Sequence, residues 1–111
     1  MSDKDEYNKI LKQYKIDKKN FKVENDKFQK LYSKFVDFKL KNNENRLNST
    51  SFSEKRKYDD LERIELNKIM VEQRKIDKLK GNLEKTEFSL NILLSKLKRN
   101  NIKVEDYYYI K

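Results

Sequence analysis

Asp59, Asp60 and Glu62 form the densest carboxylate group in this chain. On a helix, residues three apart share a face, so Asp59 and Glu62 could in principle hold a hard divalent cation such as Mg²⁺. The competing reading is electrostatic, because acids in the first turns of a helix offset the positive end of its dipole without any ligand. A second constellation is Lys12, Lys15, Lys19 and Lys22, whose spacings of three, four and three place four ammonium groups on one helical stripe able to contact phosphates. A third is Tyr107, Tyr108 and Tyr109, three adjacent rings that could stack on bases. Alternation of Ile102, Val104, Tyr108 and Ile110 would also let this tail extend along the edge of a partner's sheet. The simplest expectation is that it packs over the apolar end of its own bundle.

The rest of the inventory argues against catalysis. The chain has no His, Cys, Trp or Pro and one Gly. Imidazole acid–base chemistry, thiol nucleophiles, disulfides and the usual zinc ligands are therefore excluded together. There is no Gly-rich phosphate loop and no EF-hand spacing, so no cofactor, no metal and no enzymatic activity are expected. Against 19 acids stand 28 basic residues, a formal charge of +9. The excess is spread, with +5 on residues 1–41 and +4 on residues 54–99. Most of these cations are Lys, and only Arg46, Arg56, Arg63, Arg74 and Arg99 offer the bidentate guanidinium suited to gripping phosphates. Residues with GC-rich codons are scarce and those with AT-rich codons abundant, so the charge has two readings, genome style and function. The same composition, with the small size, suits an accessory protein of a phage, virus or mobile element. No apolar run approaches a membrane span, and residues 1–8 are too acidic and polar for a secretory signal. A cytoplasmic, membrane-free protein is expected.

Periodicity predicts one all-α domain over residues 1–111: a helix over 3–41, a loop over 42–53, a helix over 54–99 and a short extended tail over 100–111. Tyr7, Tyr14, Phe21, Phe28 and Phe35 recur every seven residues, as do Ile69, Ile76, Leu83, Leu90 and Leu97. Seven residues are nearly two helical turns, so each series forms one seam. Ser2 and Asp3 suit the first helix start. Ser51 with Glu54 matches a capping box, and Ser53 is a second candidate cap. Gly81 marks a bend or a close approach.

Folded back near Asn48, the two seams form an antiparallel, coiled-coil-like hairpin that sets Tyr7 beside Leu90, Tyr14 beside Leu83, Phe21 beside Ile76 and Phe28 beside Ile69. Asp17 and Glu24 interrupt the first seam near Lys80 and Arg74, either as register-setting pairs or as solvated surface charges worth about 0 to 1 kcal/mol each. The run Leu90–Leu97 is apolar around more than half the helix, more than one partner rod can cover. A homodimeric helical bundle follows as the default. The expected role is a non-enzymatic protein-binding module whose interface is Leu90, Leu93, Leu94 and Leu97 with Tyr107, Tyr108 and Tyr109. In an accessory-gene setting it would bind or inhibit a host protein. The alternative is a nonspecific nucleic-acid binder using Lys12, Lys15, Lys19 and Lys22.

Overall fold

The computed structural model describes residues 2–111. Two α-helices, α1 (Asp3–Asn48) and α2 (Phe52–Arg99), pack against each other as a helical hairpin, and a 3-10 turn follows at Tyr107–Tyr109. No strand occurs among the described residues. Ser2 caps α1, its hydroxyl accepting from the Asp5 amide at 3.2 Å, with Asp3, Asp5 and Glu6 in the first turn. Ser51 caps α2 in the same way, accepting from the Glu54 amide at 3.1 Å.

The connection is much shorter than the twelve-residue loop expected over 42–53. Helix α1 continues to Asn48, leaving residues 49–51 to reverse the chain. The Asn- and Ser-rich composition favours a loop, but the seven-residue series does not stop at Phe35. Its next member is Asn42, which is 5% exposed. Its side-chain amide donates to the Tyr58 carbonyl at 2.8 Å. An amide at a seam position keeps the helix in register while satisfying its own polarity. With the reversal centred later than Asn48, the pairing also moves. Tyr14 bonds to Glu87, one helical turn beyond Leu83, and Lys39 lies 3.7 Å from Glu62.

The chain divides into two compact units. The terminal unit comprises residues 2–24 and Asp77–Lys111, the turn unit Asn25–Ile76. The terminal unit holds one hydrophobic cluster of Tyr7, Leu11, Tyr14, Leu83, Leu90, Leu93, Leu94 and Leu97. In the turn unit the only buried apolar side chains among the described residues are Phe28 and Ile76. Gly81 marks no close approach: a Cβ there would meet nothing within 4 Å, and its φ is negative.

Candidate functional site

Two surfaces compete as the site, and the tail decides the first. Helix α2 ends at Arg99, and Asn101 adopts a left-handed φ of 57°. The Ile102 amide donates back to the Leu97 carbonyl at 2.9 Å and the Asn101 amide to the Lys98 carbonyl at 3.1 Å. This is the Schellman arrangement with Asn in the place usually taken by Gly. It turns the chain back along the helices instead of letting it run on as a free extended segment.

From there the tail is fastened at Glu105, Asp106, Tyr107 and Ile110. The Tyr7 hydroxyl donates to the Glu105 carbonyl at 2.6 Å and accepts from the Tyr107 amide at 3.1 Å. Lys15 pairs with the Glu105 carboxylate at 2.6 Å, Lys98 with Asp106 at 3.7 Å, and Lys18 donates to the Ile110 carbonyl. The Tyr107 ring meets Tyr14 edge to face at 6.2 Å, while the Lys18 ammonium sits 5.6 Å from the Tyr14 ring centre. Val104, Tyr107 and Ile110 pack against the cluster. The alternation that predicted an extended strand ends in a 3-10 turn at Tyr107–Tyr109, because Asp106 caps it by accepting from the Tyr108 amide at 2.9 Å.

This packing corrects the expected interface. Leu90 and Leu97 are fully buried, and Leu93 and Leu94 are 8% and 6% exposed, all within one chain. The four leucines that a second molecule is expected to cover are sealed by α1 and the tail, while Ile92 in the same run stays 42% exposed. Of the tail aromatics Tyr107 is half-buried, whereas Tyr108 and Tyr109 stand open at 77% and 78% exposure. Burial raises the Tyr7 hydroxyl above its ordinary pKa, an effect the Tyr107 amide partly offsets. Tyr14 is raised strongly, first by burial and then by its hydrogen bond to the Glu87 carboxylate. Tyr107 is raised by burial and by the nearby charges of Glu87 and Asp106.

The lysine stripe survives in part. Lys15 is engaged by Glu105, while Lys12, Lys19 and Lys22 are exposed and form no ion pair among the described residues. The carboxylate group is taken up by cations of the chain itself. Asp59 lies 2.7 Å from Arg46, Asp60 pairs with Arg63, and Glu62 lies 3.7 Å from Lys39. No grouping of acidic residues able to hold a metal ion occurs among the described residues. No helix is long and apolar enough to cross a membrane.

The second surface lies in the turn unit. A groove of about 440 Å³ between the helices is lined by Leu31, Phe35, Phe38 and Ile69 and rimmed by Lys34, Lys68, Glu65 and Glu72. A hollow of about 380 Å³ on α2 is lined by Phe52, Leu61 and Ile64 with Arg56, Lys57 and Asp60. Leu61 and Lys68 are seven residues apart on α2, so the two depressions adjoin along one side of the pair. Sequence periodicity concentrates apolar residues here but carries no sign that they stay open, since a seam and an exposed second stripe share one period. No family model matches the chain, and comparison with curated proteins and with solved structures finds no match.

Proposed function

We propose that this chain is a non-enzymatic protein-binding and assembly module whose contact surface is the open apolar side of the turn unit. The observation that carries the reading is an imbalance of burial. In that unit Phe28 and Ile76 are buried, while Leu31, Leu61 and Ile64, which line the groove and the hollow, are each between 39% and 52% exposed. A pair of helices has one mutual seam, so apolar residues on any other stripe need a further element to cover them. The occupant that fits is a second copy of the same surface. The groove rim carries two lysines and two glutamates, so a two-fold partner sets acids opposite bases while the apolar floors meet. Two hairpins joined in this way make a four-helix bundle.

Sedimentation velocity across a wide concentration range tests this. The expected result is a reversible dimer that Leu61→Glu and Ile64→Glu each dissociate while helicity by circular dichroism is retained. Both side chains are already partly open, so the acids are tolerated in a monomer. A chain that remains monomeric at every concentration, or a dimer indifferent to both substitutions, ends the proposal. An accessory protein acting on a host target would present the same surface to that target's helix.

A further inference from the structure

The tail sets two exposed aromatic rings on the lysine-rich side of α1, a juxtaposition that the assembly reading leaves unused. Docking of the tail fastens Glu105 to Lys15 and Ile110 to Lys18. Tyr108 and Tyr109, between those two anchors, are therefore held along the Lys15–Lys18 side of α1. Their rings stand perpendicular to each other with centres 5.5 Å apart, more than three-quarters exposed. Rings this exposed are reachable from solvent.

On the adjacent stretch of α1 the charge is almost wholly positive. Between Asn8 and Lys22 the only acid on α1 is Asp17. It lies two residues from both Lys15 and Lys19, hence on the far side of the helix, where it accepts from Gln13 at 2.9 Å. Glu105 is spent on Lys15, and Asp106 on Lys98 and the Tyr108 amide. That leaves Lys12, Lys19 and Lys22 without an ion-pair partner among the described residues, and Lys18 with a neutral carbonyl as its tail acceptor. Along the axis Lys12 stands about 9 to 10.5 Å from Lys18 and Lys19, and Lys22 about 4.5 to 6 Å beyond them.

We infer that this patch binds single-stranded nucleic acid, Tyr108 and Tyr109 stacking on unpaired bases while Lys12, Lys18, Lys19 and Lys22 track the backbone phosphates. Stacking faces beside a cationic track are what sequence-tolerant single-strand binding requires. A duplex hides its base faces, so it can use the lysines alone. The inference is independent of self-association through the turn unit.

The test is fluorescence anisotropy with labelled oligothymidylate and oligouridylate, a duplex of equal length, and heparin as a competing polyanion without bases. The expected result is binding at low salt, tighter to single strands than to duplex, with a linear fall in log affinity against log salt. Replacing both rings (Tyr108→Ala with Tyr109→Ala) should weaken single-strand binding by about tenfold or more and leave duplex binding unchanged. The Phe replacements should restore it. Removing three cations (Lys12→Gln, Lys19→Gln, Lys22→Gln) should reduce the salt slope by about 2, at roughly 0.7 per phosphate contact. All these side chains are exposed, so folding is retained and circular dichroism verifies it. Because the chain has no Trp, quenching of tyrosine emission gives a second reading of stacking. No binding at low salt overturns the inference. So does equal binding of single strand, duplex and heparin that ignores loss of the rings, which would be the behaviour of a cation-exchange surface.

Discussion

Replacing Tyr7 by Phe isolates what holds the tail. The ring stays, fully buried in the cluster, and only the hydroxyl between the Glu105 carbonyl and the Tyr107 amide is lost. A typical neutral hydrogen bond contributes about 0.5 to 1.5 kcal/mol net, so two give about 1 to 3 kcal/mol, and an amide left buried without a partner costs a similar amount. The loss falls first on tail docking, where every 1.4 kcal/mol is tenfold in the opening equilibrium. Amide hydrogen exchange at Tyr107 should accelerate by about five- to a hundredfold. If the tail unfolds together with the helices, the midpoint also drops. An unfolding entropy of about 2 cal/mol/K per residue over 111 residues makes each kcal/mol about 4 °C. The control is Tyr108→Phe, a change on an exposed ring, which should leave both measurements unaltered. Should Tyr107 exchange and melt in the Tyr7→Phe chain as in the parent, the tail is held by something other than this hydroxyl, and the account of the sealed leucines loses its central contact.

Alkaline pH should act on the same unit. Tyr14 and Tyr7 both have hydroxyls raised above the ordinary tyrosine value of about 10, so the folded state holds these protons more tightly than the unfolded chain. Their contribution is complete below pH 10 and lost as pH rises through that value towards the raised ones. Thermal melts should therefore fall above about pH 10, and less steeply in Tyr14→Phe; equal alkaline loss in both chains would refute the assignment. Gly81→Ala should stabilise by about 1 kcal/mol in a denaturant titration, since the added methyl meets nothing and helix propensity improves. At Asn101 the left-handed backbone should tolerate Gly, while Val should cost roughly 1 to 2 kcal/mol and loosen the tail in limited proteolysis. Leu94→Ala should cost about 2 to 5 kcal/mol as a core truncation, and a change of surface size would contradict its burial.

The sealed leucines change what the apolar surplus on α2 means. A stripe wider than one partner rod can cover calls for a further element to cover it. That element is the tail of the same chain, which occupies one side of the terminal unit with Val104, Tyr107 and Ile110. In the turn unit no comparable segment lies over Leu61 or Ile64, and both remain open. The candidate contact surface therefore moves away from the leucine run. The lysine stripe changes in the opposite sense: what reads as a dispersed solvated face acquires, through the docked tail, a pair of exposed rings, while Lys15 is taken up by Glu105.

What the sequence by itself determined is everything set within a few residues of backbone. The seven-residue seams, a short list of cap candidates that includes Ser2 and Ser51, and the end of α2 at the Asn pair all follow from local hydrogen bonding and helical geometry, and the structure takes Ser2 and Ser51 as the caps. Asn42 belongs to the same class, since it continues the aromatic series by one more period; its polar side chain disguised it as loop. What only the tertiary structure decided are contacts between distant residues: the one-turn shift that sets Tyr14 against Glu87, and the return of the tail. Tyr7 and Glu105 are separated by 98 positions, and no local period carries information across that distance. Which stripe is covered is settled by packing free energy summed over the folded chain, and a seam that will be buried looks, residue by residue, like one that will stay open.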